Sequence, residues 1–426
     1  MNHESQFGEK FNHLFRHESG KMIAVLTRIF GAQNIDLIED VVQDTLLKAL
    51  ELWRFNDIPE NPSGWLYTIA KNKTLDLLRR RKLHDSLSED ISYLLKSEYT
   101  ILPMLDELFS EPEVLDDQLR MMFVCCHPSI SQETQVALIL KILCGFSTGE
   151  IATAFISNTE TITKRLYRGK QILRNGNIKV ELPAAYQINE RLDSVLQALY
   201  LLFNEGYNSS SADEVIRRDL IDEALRLVLL LCKDDRTALP KVYALASLIM
   251  LHSARLYSRV DADGNILLLD DQDRTLWDSA LITQGLDYLS RSARGEEISN
   301  YHLQAAIAAL HSTAESANTT DWEQIIELYD RLYEQDGSAV TALNRAIAIA
   351  QLHGPAAALT AIANINNREV LETYLLLPAT LGELHYLLGE YDQAALFFEK
   401  AIALTDSQKT KVMLCKKIQR LKSNYF

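Results

Sequence analysis

Flat rings and cations crowd into one short stretch, PSGWLYTIAKNKTLDLLRRRK, from Pro62 to Lys82. Side chains like Trp65 and Tyr67 can stack on unpaired bases. Lys71, Lys73, Arg79, Arg80, Arg81 and Lys82 can hold phosphates, so the stretch has both contacts that a single-stranded nucleic acid offers. Pro62 and Ser63 predict a helix start with Ser63 as N-cap, and the apolar spacing is helical. Leu66, Ile69, Ala70 and Leu77 then share one arc, while Thr68, Lys71, Asn72, Leu75 and Arg79 share the other. A surface helix with a solvated charge run is the plainer reading of the same residues.

A second constellation, CGFSTGEIATAFISNTETITKRLYRGKQIL from Cys144 to Leu173, predicts a helix-turn-helix. Ser147 and Glu150 have capping-box spacing, and Ile151, Ala152 and Phe155 form a packing face. Ile156 and Ser157 make the turn. Ser157 or Asn158 caps the second helix, with Glu160 placed to close a box from Ser157, and Ile162 and Leu166 point inward. The polar side presents Thr159, Thr161, Thr163, Lys164, Arg165 and Arg168, an order that suits base edges first and phosphates after. A plain αα-hairpin with a basic flank is the alternative. A third stretch, Asp36 to Trp53, has Ile38, Val41, Val42 and Ala49 on a packing side and Asp40, Gln43, Asp44 and Leu47 on another. Acids around an outward Leu suggest a protein partner, against the alternative of a solvated face.

Other residues carry less. The run CCHP at Cys125 to Pro128 offers adjacent ligands that rarely close a tetrahedral site, and no CxxC exists elsewhere. DADGN at Asp261 to Asn265 places its Gly too early for a calcium loop and reads as a turn. No metal or other cofactor is expected, and His127, His252, His302 and His311 stand at no catalytic spacing.

Positioning these side chains requires helices, and nearly every periodic segment is helical, so the expected class is all-α. A chain of 426 residues exceeds a single core and should divide into two to four domains. Helices are predicted at about 8–30, 35–53 and 63–82, forming a first module, and at 117–126, 132–144, 147–155 and 158–173, forming a second. Net charge is −15, which weighs against nucleic acid only if charge is spread evenly. It is not: residues 65–82 hold six cations against one acid, and residues 134–179 hold seven against two. The segment from His84 to Asp117 carries ten acids against Lys96 alone and reads as an acidic connector. The five cysteines lack a paired framework, which fits reduced thiols. MNHESQFGEK is no signal pattern and the apolar runs are too short to span a bilayer, so a cytoplasmic location is expected. Near the end, Leu381, Gly382, Leu388, Gly389, Tyr391, Ala394, Phe398 and Ala401 fit a tetratricopeptide-like hairpin, with a weaker copy from Leu343 to Ile362.

Together these residues resemble a bacterial extracytoplasmic-function sigma factor of the sigma-70 family, in the subgroup with a large helical, tetratricopeptide-like C-terminal extension. IEDVVQDTLLKAL resembles the region 2.2 helix, which implies that Asp40, Gln43, Asp44 and Leu47 contact core RNA polymerase. The Pro62–Lys82 stretch resembles regions 2.3 and 2.4. That implies capture of the melted minus-10 element by Asn56, Trp65, Tyr67, Thr68, Lys71 and Asn72, with Lys73, Arg79 and Arg80 on phosphates. The helix-turn-helix resembles region 4.2, implying that Asn158, Thr159, Thr161, Thr163, Lys164, Arg165 and Arg168 read duplex minus-35 promoter DNA. Gly169 stands where the family commonly has a better helix former, which predicts a frayed helix end at about 1 kcal/mol relative to Ala. LLFNEGY at Leu201, DDQDRTLWD at Asp270, YHLQAAIAALH at Tyr301 and LNRAIAIA at Leu343 resemble the subgroup's extension. The implied domains are region 2 at 1–83, the acidic linker at 84–116, region 4 at 117–180, a helical extension at 181–320 and the hairpins at 321–426. The extension, acidic overall, is expected to contact regions 2 and 4 and to regulate them. A helix-turn-helix regulator with a helical sensor domain, outside the polymerase, is the alternative.

Overall fold

Helical periodicity becomes eighteen α-helices among the described residues, with no β-strand. The computed structural model describes residues 3–54, 58–81, 107–155, 157–176, 178–209, 216–261, 267, 269–405 and 407–423. Residues 1–206 with 218–237 form one compact unit, and residues 207–217 with 238–426 form a second.

The first unit holds α1 (His3–Phe30), α2 (Ile35–Trp53), α3 (Pro62–Arg81), α4 (Glu111–Cys125), α5 (Gln132–Ile142), α6 (Thr148–Ala154) and α7 (Thr159–Asn175). It is completed by α8 (Ala185–Tyr207), apart from its last residue, and α9 (Arg218–Lys233). Helix α1 is its hub. Met22, Val25, Leu26, Ile29 and Phe30 are fully buried, and α1 packs on α2, α3, α4 and α5. Each such side chain contributes roughly 2 kcal/mol through burial. Gly20 permits the closest approach, because the carbonyl of Leu143 lies where a β-carbon would stand.

Two expectations shift for local reasons. The cap of α3 is Asn61, whose Oδ1 accepts from Gly64 N at 2.9 Å; Ser63 lies inside the helix and donates to Glu18 Oε1 at 3.0 Å. Helix α4 begins at Glu111, earlier than expected, because Pro112 pre-sets the first turn. Glu113 then pairs with Arg28 of α1, so this part of the acidic connector belongs to the fold. Residues 84–106 lie outside the described residues. The compact units do not divide at residue 181: α8 and α9 belong with the first, and α9 packs on α4. It buries Leu220, Ile221, Leu227, Val228 and Leu231 and adds polar contacts, with Glu223 Oε2 3.2 Å from His17 Nε2 and Arg226 Nη1 donating to Gln118 at 3.1 Å.

The second unit begins with α10 (Pro240–Ser253), buried on almost every side and packed against α11 (Ser279–Ser292) and α12 (Asn300–Thr313). From there α13 (Trp322–Asp336), α14 (Ala339–His353), α15 (Pro355–Ala363), α16 (Leu376–Leu387), α17 (Tyr391–Ala403) and α18 (Gln408–Ser423) pack each on the next. Leu381, Ala394, Phe398 and Ala401 are buried, while Leu388 is exposed and Gly389 takes φ 78° in the turn between α16 and α17.

Candidate nucleic-acid interface

Helices α6 and α7 form the helix-turn-helix. Both halves of the α6 capping box are made: Glu150 N donates to Ser147 Oγ at 3.2 Å, and Ser147 N donates to Glu150 Oε2 at 2.7 Å. The same Glu150 takes Arg16 of α1 at 3.2 Å, which ties the cap to the first module. On α7 the cap is Asn158, accepting from Thr161 N at 2.8 Å. Glu160 therefore closes no box, and holds Lys164 Nζ at 2.6 Å instead. Ile162 and Leu166 are buried; Asn158, Thr159, Thr163, Lys164 and Arg168 are exposed, and Thr161 is half-buried. Arg165 departs from this group. Its Nη2 lies 2.5 Å from Glu133 of α5, and its guanidinium sits 5.6 Å from the Phe155 ring.

Gly169 corrects the expected fraying. The helix continues to Asn175, and Gly169 is buried where α7 crosses α5: a β-carbon would stand 2.7 Å from Thr134 Cγ2 and 2.9 Å from Leu138 Cδ1. Beyond this crossing α7 turns toward α2. Lys170 Nζ pairs with Glu39 at 2.6 Å, and Arg174 Nη1 pairs with Asp36 at 2.7 Å. The second half of the helix is thus occupied by the first module.

On α3, Leu66, Ala70 and Thr74 are fully buried, while Thr68 and Asn72 are exposed. The rings are not free. Trp65 packs 5.1 Å from the Trp53 ring, and Tyr67 lies 5.7 Å from the Phe109 ring with its hydroxyl bonded to Glu18. Both rings of the expected stacking platform are half-buried against these neighbours. Lys71 is half-buried, and Lys73 pairs with Asp44 at 3.1 Å. Asn56 lies outside the described residues, as do the side chains of Arg79 and Arg80.

Glu18, 2% exposed, anchors this region. Burial alone would raise its pKa, but hydrogen bonding from His17, the charge of Lys21 and the Tyr67 hydroxyl outweigh it and hold the carboxyl down at about 2. On α2, Asp40, Gln43, Asp44 and Leu47 all face out, Leu47 at 56% exposure, over buried Ile38, Val41, Val42, Thr45 and Ala49. Cys125 and Cys126 are buried and their thiols pushed up by desolvation, and His127 Nδ1 is 2.5 Å from Ser129 Oγ. Sequence reasoning missed Asp36 and Glu39, whose partners lie 138 and 131 residues away; Glu18 also carries no local signal. Tyr167, 61% exposed beside Arg168, could have been found by the same helical arc that selected Lys164.

Residues 14–84 match the family model of sigma-70 region 2, and residues 191–293 match a family of unknown function, DUF6596. An uncharacterized protein of Rhizobium meliloti (strain 1021) is 36% identical over 384 residues, 90% of this chain and 89% of that protein. The ECF RNA polymerase sigma-E factor of Haemophilus influenzae is 29% identical over 181 residues, 40% of this chain and 89% of that factor. The ECF RNA polymerase sigma factor SigW of Bacillus subtilis is 24% identical over 154 residues, 36% and 81% of the two chains. No solved structure matches the chain. A region 2 module beside a capped helix-turn-helix, in an all-α chain, defines a protein of the sigma factor class. The chain belongs to the extracytoplasmic-function sigma-70 family, and continues into a large helical C-terminal part. No described helix is long and apolar enough to cross a membrane.

Proposed function

We propose that this chain directs core RNA polymerase to specific promoters and performs no bond chemistry itself. Asp40, Gln43, Asp44 and Leu47 dock on the polymerase. Helix α3, with Trp65, Tyr67, Thr68, Lys71, Asn72 and Lys73, captures the unpaired minus-10 bases, and α7 reads the minus-35 duplex through Asn158, Thr159, Thr161, Thr163, Lys164 and Arg168. The observation that carries this reading is the exposed start of α7, where threonines precede Lys164 and Arg168 on a helix capped and braced from behind.

Use of both readers at once requires the first unit to open. Elements named for positions minus-10 and minus-35 lie roughly 25 base pairs apart, about 85 Å along duplex DNA. A compact body of this unit's size has a radius of gyration of only about 17 Å. The Lys170–Glu39 and Arg174–Asp36 pairs are among the contacts that must part, with Arg16–Glu150 and the packing of α1 on α4 and α5, and parting them releases two cations on α7 for phosphate. Helices α8 and α9, part of that unit, are the segment of the extension suited to regulate the opening.

Retention on core polymerase tests the reading. The full chain should bind core polymerase stably, and an Asp40→Ala/Asp44→Ala double variant should bind weakly. No retention of the full chain would show instead a DNA regulator outside the polymerase. Mapping transcript starts after overexpression should reveal one shared pair of promoter elements.

A further inference from the structure

Three arginines and His252 of the second unit gather around the rings of Tyr207 and Trp277, with His311 close by on Trp322, and among the described residues no acid accompanies the central pair of arginines. Arg259, only 7% exposed, donates from Nη1 to the carbonyl of Tyr207 at 2.5 Å and from Nη2 to Asn208 Oδ1 at 2.9 Å. Its guanidinium lies 3.6 Å over the Tyr207 ring. Arg255 donates from Nη2 to the Tyr207 hydroxyl at 2.7 Å and to His252 Nδ1 at 3.0 Å, and stands 5.8 Å from the Trp277 ring. Every partner of these two guanidiniums is neutral, and neither has a carboxylate within ion-pair distance among the described residues. Arg274 lies 4.6 Å from the same Trp277 ring and donates to the carbonyls of His311 and Ala314.

Burial and the adjoining arginines push both imidazoles down, His252 well below its ordinary value and His311 to about 4, so neither adds an acceptor charge. His311 Nδ1 is buried with no hydrogen-bond partner. Arg255 is half-buried and uses only Nη2, which leaves Nη1 and Nε open. Desolvated cations set side by side are costly unless a negative charge joins them. Tyr207, Arg274 with Trp277, and His311 come from LLFNEGY, DDQDRTLWD and YHLQAAIAALH, and His252, Arg255 and Arg259 from the stretch 251–260, none of which any reading of the DNA-binding surfaces uses.

We propose that this cluster is a binding site for a small oxyanion, the phosphate or carboxylate group of a metabolite, held by Arg255 and Arg259 with His311 beside it. Bidentate guanidinium contact is the usual means of holding such groups. The site lies wholly in the second unit, so its test is separate from that of polymerase binding.

The full-length protein is titrated calorimetrically with inorganic phosphate, and separately with citrate, at constant ionic strength set with sodium chloride. Saturable binding of one anion, with a rise in Tm that chloride does not produce, is expected, and the anion that binds identifies the group. Arg255→Gln should weaken that binding by about tenfold or more while leaving the helical circular dichroism intact. If that variant does not fold, Arg255→Lys should fold and still bind more weakly than the wild type. Phosphorus line-broadening of phosphate by the wild-type protein gives a readout that needs no variant when phosphate is the ligand. Absence of a saturable response to both anions, or unaltered binding in a folded Arg255 variant, overturns the proposal.

Discussion

Helices α3 and α7 look alike in sequence: each is amphipathic, opens with small polar residues and ends in cations. Their surroundings make them different objects. The start of α7 rests on α5 and α6 and leaves Thr159, Thr163, Lys164 and Arg168 in solvent. On α3 the corresponding reactive side chains are engaged, Trp65 with Trp53, Tyr67 with Glu18 and Phe109, Lys73 with Asp44. A residue's chemical capacity follows from its type, whereas its availability follows from what packs over it. The same contrast runs along α7 itself, where Gly169 divides an exposed half from a half paired with α2.

The largest effect is expected behind α3. Glu18 titrates at about 2 in the folded protein and near 4.5 when unfolded, so the unfolded chain binds the extra proton between these values. Its stabilisation is present above about pH 4.5 and lost as pH falls toward 2. Glu18→Gln should cost about 3 kcal/mol at neutral pH and flatten that acid limb, measured by urea unfolding across pH. An unchanged limb would show that Glu18 does not anchor α3.

Gly169→Ala sharpens the division of α7, because two effects oppose each other in sign. Helix propensity alone would stabilise by about 1 kcal/mol, whereas the crossing with Thr134 and Leu138 should destabilise by about 2 kcal/mol, so a lower Tm is expected. Next, Arg168→Ala should weaken binding to minus-35 duplex DNA by about tenfold, while Tyr67→Phe leaves that binding unchanged. Equal loss in both variants would erase the distinction between the helices. The smallest effect belongs to the pair joining them: a double-mutant cycle on Asp36 and Arg174 should give a coupling of about 0.5 kcal/mol, as for other half-exposed ion pairs.

Much of the fold was legible. The bounds of α2 and both residues of the Ser147–Glu150 box match their sequence expectations, since hydrophobic period and capping are local. The cap of α3 moved by two residues, from Ser63 to Asn61, because neighbouring Asn and Ser side chains compete for the same amide donors, whereas on α7 Asn158, one of the two residues expected, is the cap. The start of α4 was missed because its acids suggested a linker, whereas Glu113 gains a partner in Arg28 that lies 85 residues earlier.

By itself the sequence determined the helices, the family and which side chains can stack, pair or grip phosphate, because these depend on residue type and on spacing within a few turns. Only the tertiary structure decided which of them are free. It set Tyr67 against Phe109 and Glu18, made Gly169 a crossing point, drew α8 and α9 into the first unit and gathered Arg255 and Arg259 with no acid among the described residues. The reason is physical: desolvation and ion pairing act between neighbours in space, and those neighbours stand tens to more than a hundred residues apart along the chain.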